Sequence, residues 1–127
     1  MGRSTGPDLE TVMAVLHRDG YRCVRCDRPI VGERGVDWSC HHRTPRGMGG
    51  SKRPEVNSPA ALLSLCGSGT TGCHGYVESH RAEALTNGWL VSRYSDPAAV
   101  AVLVDRGSRW VYLTESGYAD DPPEEVA

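Results

Sequence analysis

Four of the five cysteines stand as two pairs, "CVRC" at Cys23 and Cys26 and "CGSGTTGC" at Cys66 and Cys73. The C-x2-C spacing is the knuckle in which a tight turn aims two thiolates at one tetrahedral ion. The C-x6-C spacing is wider, but Gly67, Gly69 and Gly72 let the extra length loop out while the thiolates converge. Four thiolates leave no open coordination position, so the pattern predicts a structural zinc site held by Cys23, Cys26, Cys66 and Cys73. Such a staple suits this chain. It has 127 residues, no Phe and only 6 % aromatics, which predicts one domain with a thin core. No apolar run behind Met1 reads as an export signal, and no stretch approaches membrane-spanning length. The expectation is a cytoplasmic protein with reduced thiols, whose cysteines are ligands and not disulfides. Cys40, the odd one, reads as a small buried hydrophobe on a strand.

The rest of the chain reads as α+β. Pro7, Asp8 and Glu10 suit a first helical turn, and Leu9, Val12, Met13 and Leu16 recur at helical spacing before Gly20. This predicts a helix over about residues 7–18. Residues 36–42 are strand-like. "RTPRGMGGSKRPEVNSPA" is a loop, and residues 60–65 form a short apolar segment. Residues 73–85 read as one helix ended by Asn87-Gly88, and residues 89–91 as a short strand. Residues 100–104 and 110–113 flank "DRGSR" and predict a β-hairpin. The domain is expected over 7–114, between a loose N-terminus, 1–6, and an acidic disordered tail, 115–127.

Charge is unevenly distributed. Between Arg18 and Arg53 there are nine basic residues against four acidic ones, while every charged residue from Glu115 onward is acidic. A basic body with an acidic tail fits a nucleic-acid-facing protein.

"SCHHRTPRGMGG" places His41 and His42 side by side, between the two cysteine pairs and before a glycine cluster, and His74 directly follows Cys73. This order resembles the HNH endonuclease family: C-x2-C, a His dyad followed by proline and Gly-Gly, Asn, then a second cysteine pair followed by His. The matching residues are Cys23, Cys26, His41, His42, Pro45, Gly49, Gly50, Cys66, Cys73 and His74, spanning about residues 21–81. The likeness is greatest to small stand-alone HNH proteins of tailed phages, which carry a loop similar to "GSGTTGCHG". The resemblance implies a zinc-stapled ββα-metal core, also called a His-Me finger, here with an N-terminal helix and a C-terminal β-hairpin. It also implies hydrolysis of phosphodiester bonds in double-stranded DNA, in a phage-encoded protein working beside the terminase and portal proteins in genome packaging.

Phosphodiester hydrolysis needs an activated water and a cation against the developing charge. By the resemblance His42 is the general base, and His41 and His74 hold a catalytic Mg2+ or Mn2+. Adjacent residues on a strand point to opposite faces, so His42 is expected to address the water and His41 the ion at the strand's edge. His80, six residues beyond His74 on a continuous helix, is expected to point elsewhere, and His17 to lie at the surface or in packing. The family's Asn is the open point. Measured from His42, Asn57 falls nearest its usual separation; measured from Cys66, Ala61 occupies its place. Arg43, Arg46, Lys52 and Arg53 surround the dyad and are expected to grip backbone phosphates without reading sequence. The alternative that Ala61 motivates is a zinc-binding DNA-binding or adaptor module with weak or lost cleavage.

Overall fold

The computed structural model describes residues 6–45 and 54–124. The first helix, α1 (Leu9–Arg18), begins where the Asp8 carboxylate accepts a hydrogen bond from the Thr11 amide at 2.8 Å. Pro7 therefore precedes the cap and does not occupy the first turn. The helix ends with Gly20 at φ +69°, where the Gly20 and Tyr21 amides donate back to the His17 and Leu16 carbonyls, both at 3.0 Å. Its buried face is Val12, Val15 and Leu16. The predicted stripe is corrected, because Leu9 is 70 % and Met13 45 % exposed. Val12 and Leu16 dock on Trp38, and that contact sets the rotation that turns Leu9 and Met13 outward.

Strand β1 (Trp38–His42) pairs antiparallel with β2 (Leu62–Cys66), with Trp38 opposite Cys66 and His42 opposite Leu62. Leu63 and Leu65 of β2 enter the main core with Val24, Val77, Trp89, Leu90, Val102, Val111 and Leu113. Helix α2 (Gly72–Ser79) follows β2 and packs on the pair. The expected single helix over 73–85 is two. His80 takes φ −124° and ψ 60°, and α3 (Arg81–Thr86) starts after it. Ser79 contributes to the break: its hydroxyl donates to the Gly75 carbonyl at 2.9 Å, a local bond that competes with the helical ladder. Residues 89–91 form no strand; the Trp89 and Leu90 amides close on the Ala84 carbonyl and that of Val91 on Arg43.

The C-terminal hairpin forms from β3 (Val102–Val104) and β4 (Arg109–Leu113), and β5 (Tyr118–Ala119) adds a third strand. The ordered chain thus runs beyond residue 114, which corrects the start of the tail. The Tyr118 hydroxyl donates to Asp19 Oδ1 at 2.8 Å. Asp19 also pairs with Arg18 at 2.9 Å and accepts from the Ser64 amide at 2.9 Å. Arg18 in turn donates to the Pro59 and Leu62 carbonyls at 2.6 and 2.7 Å. This buried network ties α1, β2 and β5 together with every charge partnered, as burial demands. No helix among the described residues is long and apolar enough to cross a membrane.

Candidate functional site

The cysteine pairs converge. The knuckle turns through Asp27, which takes φ +65°, with its amide on the Cys23 carbonyl at 2.8 Å. The Val24 amide anchors it to the Ser64 carbonyl of β2 at 2.9 Å. Cys66 ends β2, and Cys73 lies in the first turn of α2. Gly67, at φ +86°, has no room for a Cβ against the Thr71 carbonyl, so this tight loop requires glycine there. The four sulfurs lie within 4.8 Å of one another, and Cys26 and Cys66 are 3.9 Å apart. A tetrahedron with metal–sulfur bonds of about 2.3 Å has edges of about 3.8 Å, so the cluster could hold a metal such as zinc. Two further donors face the sulfurs: the Cys73 amide on Cys66 and Arg25 Nη1 on Cys73, both at 3.4 Å. Hydrogen bonding to Cys73 and burial raise the Cys23 thiol, and burial raises that of Cys66. An ion entering the cluster must therefore displace protons.

The second group lies around the end of β1. His41 is 1 % exposed, and its Nε2 donates to the Trp89 carbonyl at 2.8 Å. A carbonyl only accepts, so this bond fixes the tautomer and leaves Nδ1 as the lone pair. His41 Nδ1 and His74 Nε2 lie 3.6 and 3.7 Å from the same oxygen, Glu78 Oε1. Burial and the neighbouring His74 pull His41 down to about 3, so its contact with Glu78 is not an ion pair. Burial also lowers His74, and its Nδ1 is buried without a hydrogen-bond partner. Two neutral imidazoles and a carboxylate are the donor set of a divalent transition ion. The carbonyl behind His41 is the outer contact such ligands use to fix their orientation. The group faces a cleft of about 370 Å3 lined also by Cys40, His42, Thr44, Pro45, Arg81 and Leu90, which leaves coordination positions open.

His42 faces the same cleft. Its Nε2 donates to Asn57 Oδ1 at 2.7 Å, which leaves Nδ1 as the basic nitrogen. Because β1 ends at His42, the two adjacent imidazoles share one cleft. One turns toward the His74–Glu78 pair and the other toward Asn57, the last residue of a short 3-10 turn (Pro54–Asn57). Ala61, the other position considered for the Asn, is fully buried in the turn before β2.

Arg43 is corrected. Its guanidinium is 0 % exposed and donates to the carbonyls of Gly88 (2.8 Å), Ala60 (2.7 Å), Pro97 (2.9 Å) and Val100 (2.9 Å). Past the strand end this side chain turns inward, where these loop carbonyls need a donor, so it cannot reach a phosphate. Burial pulls it down to about 9. Arg46, Lys52 and Arg53 lie outside the described residues. His80 stacks on Tyr76 with ring centroids 3.9 Å apart, outside the cleft, and His17 packs edge-on against Tyr21. Cys40 is half-buried against the Val12–Leu16–Trp38 cluster, where burial pushes its thiol up to about 11.

Glu78 and Arg81 were not among the residues the sequence singled out. Glu78 lies one helical turn beyond His74, the i, i+4 spacing that places two ligands on one face. Arg81 Nη1 sits 3.4 Å from Glu78 Oε2, so the carboxylate faces the histidines with one oxygen and the guanidinium with the other. Comparison of the chain with protein-family models, with curated proteins and with solved structures finds no match.

Proposed function

We propose that the protein is a metal-dependent HNH-type endonuclease built on a zinc-stapled ββα-metal core. In this reading His41, His74 and Glu78 would hold a divalent ion, whose charge would stabilise the transition state of phosphodiester cleavage. His42 takes a proton from water through Nδ1. The resulting oxygen attacks phosphorus, and the bond from phosphorus to the leaving sugar oxygen breaks. Asn57 holds the His42 ring so that its basic nitrogen faces the cleft, and the carbonyl of Trp89 does the same for His41. Two imidazoles favour Mn2+ over Mg2+ among the expected ions. The resemblance extends the proposal to phage DNA handled beside a terminase.

The observation that supports this reading is the 2.7 Å His42–Asn57 bond beside the His41–His74–Glu78 group in one cleft. The test is nicking of supercoiled plasmid by the zinc-loaded protein, with and without added divalent ion. Expected are activity with Mn2+ exceeding that with Mg2+, none without an added ion, and a loss of roughly 10²- to 10⁴-fold in His42→Ala. DNA binding without any cleavage in Mn2+ would instead favour the zinc-stapled binding module.

A further inference from the structure

Beyond Thr44, which walls both, the cleft adjoins a second cavity of about 510 Å3 bounded by Val56, Arg93, Tyr94, Ser95, Asp96 and Pro97. Tyr94 is 88 % exposed, the most exposed of the large hydrophobic residues among those described. Its place there is fixed by the backbone. The Ser95 amide closes a turn on the Ser92 carbonyl at 3.0 Å, and the Tyr94 amide donates to Ser92 Oγ at 3.2 Å. Arg43 fastens both ends of the segment. Its carbonyl accepts from the Val91 amide at 2.8 Å, and its guanidinium donates to the Pro97 carbonyl at 2.9 Å. Since Arg43 directly follows His42, the turn is tied to the strand end that carries the proposed base. The Arg93 guanidinium lies 5.5 Å from the Tyr94 ring centroid, so a cation stands beside the aromatic face. Asp96, the acid of this turn, directs its Oδ1 at the Ala98 amide at 3.0 Å.

We infer that the Arg93–Tyr94 turn takes an unstacked base of a single-stranded or locally melted DNA segment next to the scissile phosphate. An exposed aromatic face beside a guanidinium is the chemistry on which single-stranded nucleic acid stacks, and every base has a face to offer it. An intact duplex keeps its bases stacked on one another and presents phosphates and groove edges. Single-stranded or frayed DNA is then the preferred substrate class of the site, and the inference rests on the nuclease reading above.

The test is fluorescence anisotropy without added divalent ion, using the full-length His42→Ala protein, whose cleavage is expected to be at least about 10²-fold reduced, and one labelled oligonucleotide offered as single strand and as blunt duplex. In that background Tyr94→Ala weakens single-strand binding about ten-fold or more and leaves duplex binding nearly unchanged, while Tyr94→Trp retains both. A melting curve checks that the exposed substitution leaves the fold intact. Unchanged single-strand affinity, as a protein partner on this turn would give, or equal losses on both forms, overturns the inference. A protein that gives either result while the wild type still nicks plasmid in Mn2+ keeps the nuclease reading and loses this one. A protein that neither nicks nor binds either form loses both.

Discussion

Cys73 and His74 are neighbours on α2, yet they belong to two groups that could hold a metal ion, with opposite surroundings. Successive helical residues are about 100° apart, so Cys73 turns to the other three cysteines and His74 to β1. Cys23 and Cys73 are 1 % and 6 % exposed and belong to the main core, whereas Glu78 leaves 39 % of its side chain in solvent and faces an open cleft. Four thiols close a coordination sphere; two imidazoles and one carboxylate do not. In the proposed function this contrast separates holding from turnover: the closed group would only stabilise, and the open one would leave room for a phosphate and a water.

The largest expected effect breaks the closed group. Cys26→Ser should leave the chain largely unfolded, because binding energy of about 10–16 kcal/mol at such sites is folding energy. Metal analysis should find one tightly held zinc per wild-type chain. A variant that melts like the wild type would show that the cysteines staple nothing. Next in size is Arg43→Met, which leaves four loop carbonyls without their donor and should cost about 3–5 kcal/mol, read as a lower Tm. A phosphate contact predicts something different from that buried clamp: loss of about one unit in the salt slope of DNA binding. The expected result is a lower Tm with an unchanged slope. For the open group, Glu78→Gln should raise the Mn2+ concentration needed for half-maximal nicking about 10- to 100-fold and leave zinc content and Tm as they are. Equal loss of zinc would mean that the two groups are not independent.

What could be read from the sequence follows the same division. The cysteine quartet was legible because a knuckle is a local turn whose geometry its spacing fixes. The His dyad and His74 were legible because they stand beside that quartet. Glu78 was not singled out, since a carboxylate on a helix is ordinarily a solvated one; only the knowledge that the His74 face meets β1 gives it meaning. Arg43 was misread for a related reason. Its neighbours in sequence are polar and basic, but its partners are carbonyls at residues 60, 88, 97 and 100, which only the tertiary fold brings together. The helix break at His80 and the strand at Tyr118–Ala119 likewise depend on side-chain bonds, Ser79 to Gly75 and Tyr118 to Asp19, that no periodicity records.

The smallest expected effect concerns Asn57, the residue proposed to orient the base. Asn57→Ala removes the acceptor at 2.7 Å from His42 Nε2 and loosens the hold on the ring's orientation, so nicking should fall about ten-fold, within the range for contacts that orient a functional imidazole. Ala61→Asn should not raise the rate, because Ala61 is fully buried and a new amide there must find partners within the core; its main consequence should be a lower Tm. Asn57→Asp separates orientation from mere packing. A carboxylate keeps the acceptor but favours the imidazolium, so it raises the His42 pKa. The base works only when neutral, and the acid limb of the pH–rate profile should therefore move to higher pH, with the rate depressed at pH 6 and restored at pH 9. A profile unmoved in Asn57→Asp, or an Asn57→Ala protein with the wild-type rate, would show that Asn57 does not orient the proposed base.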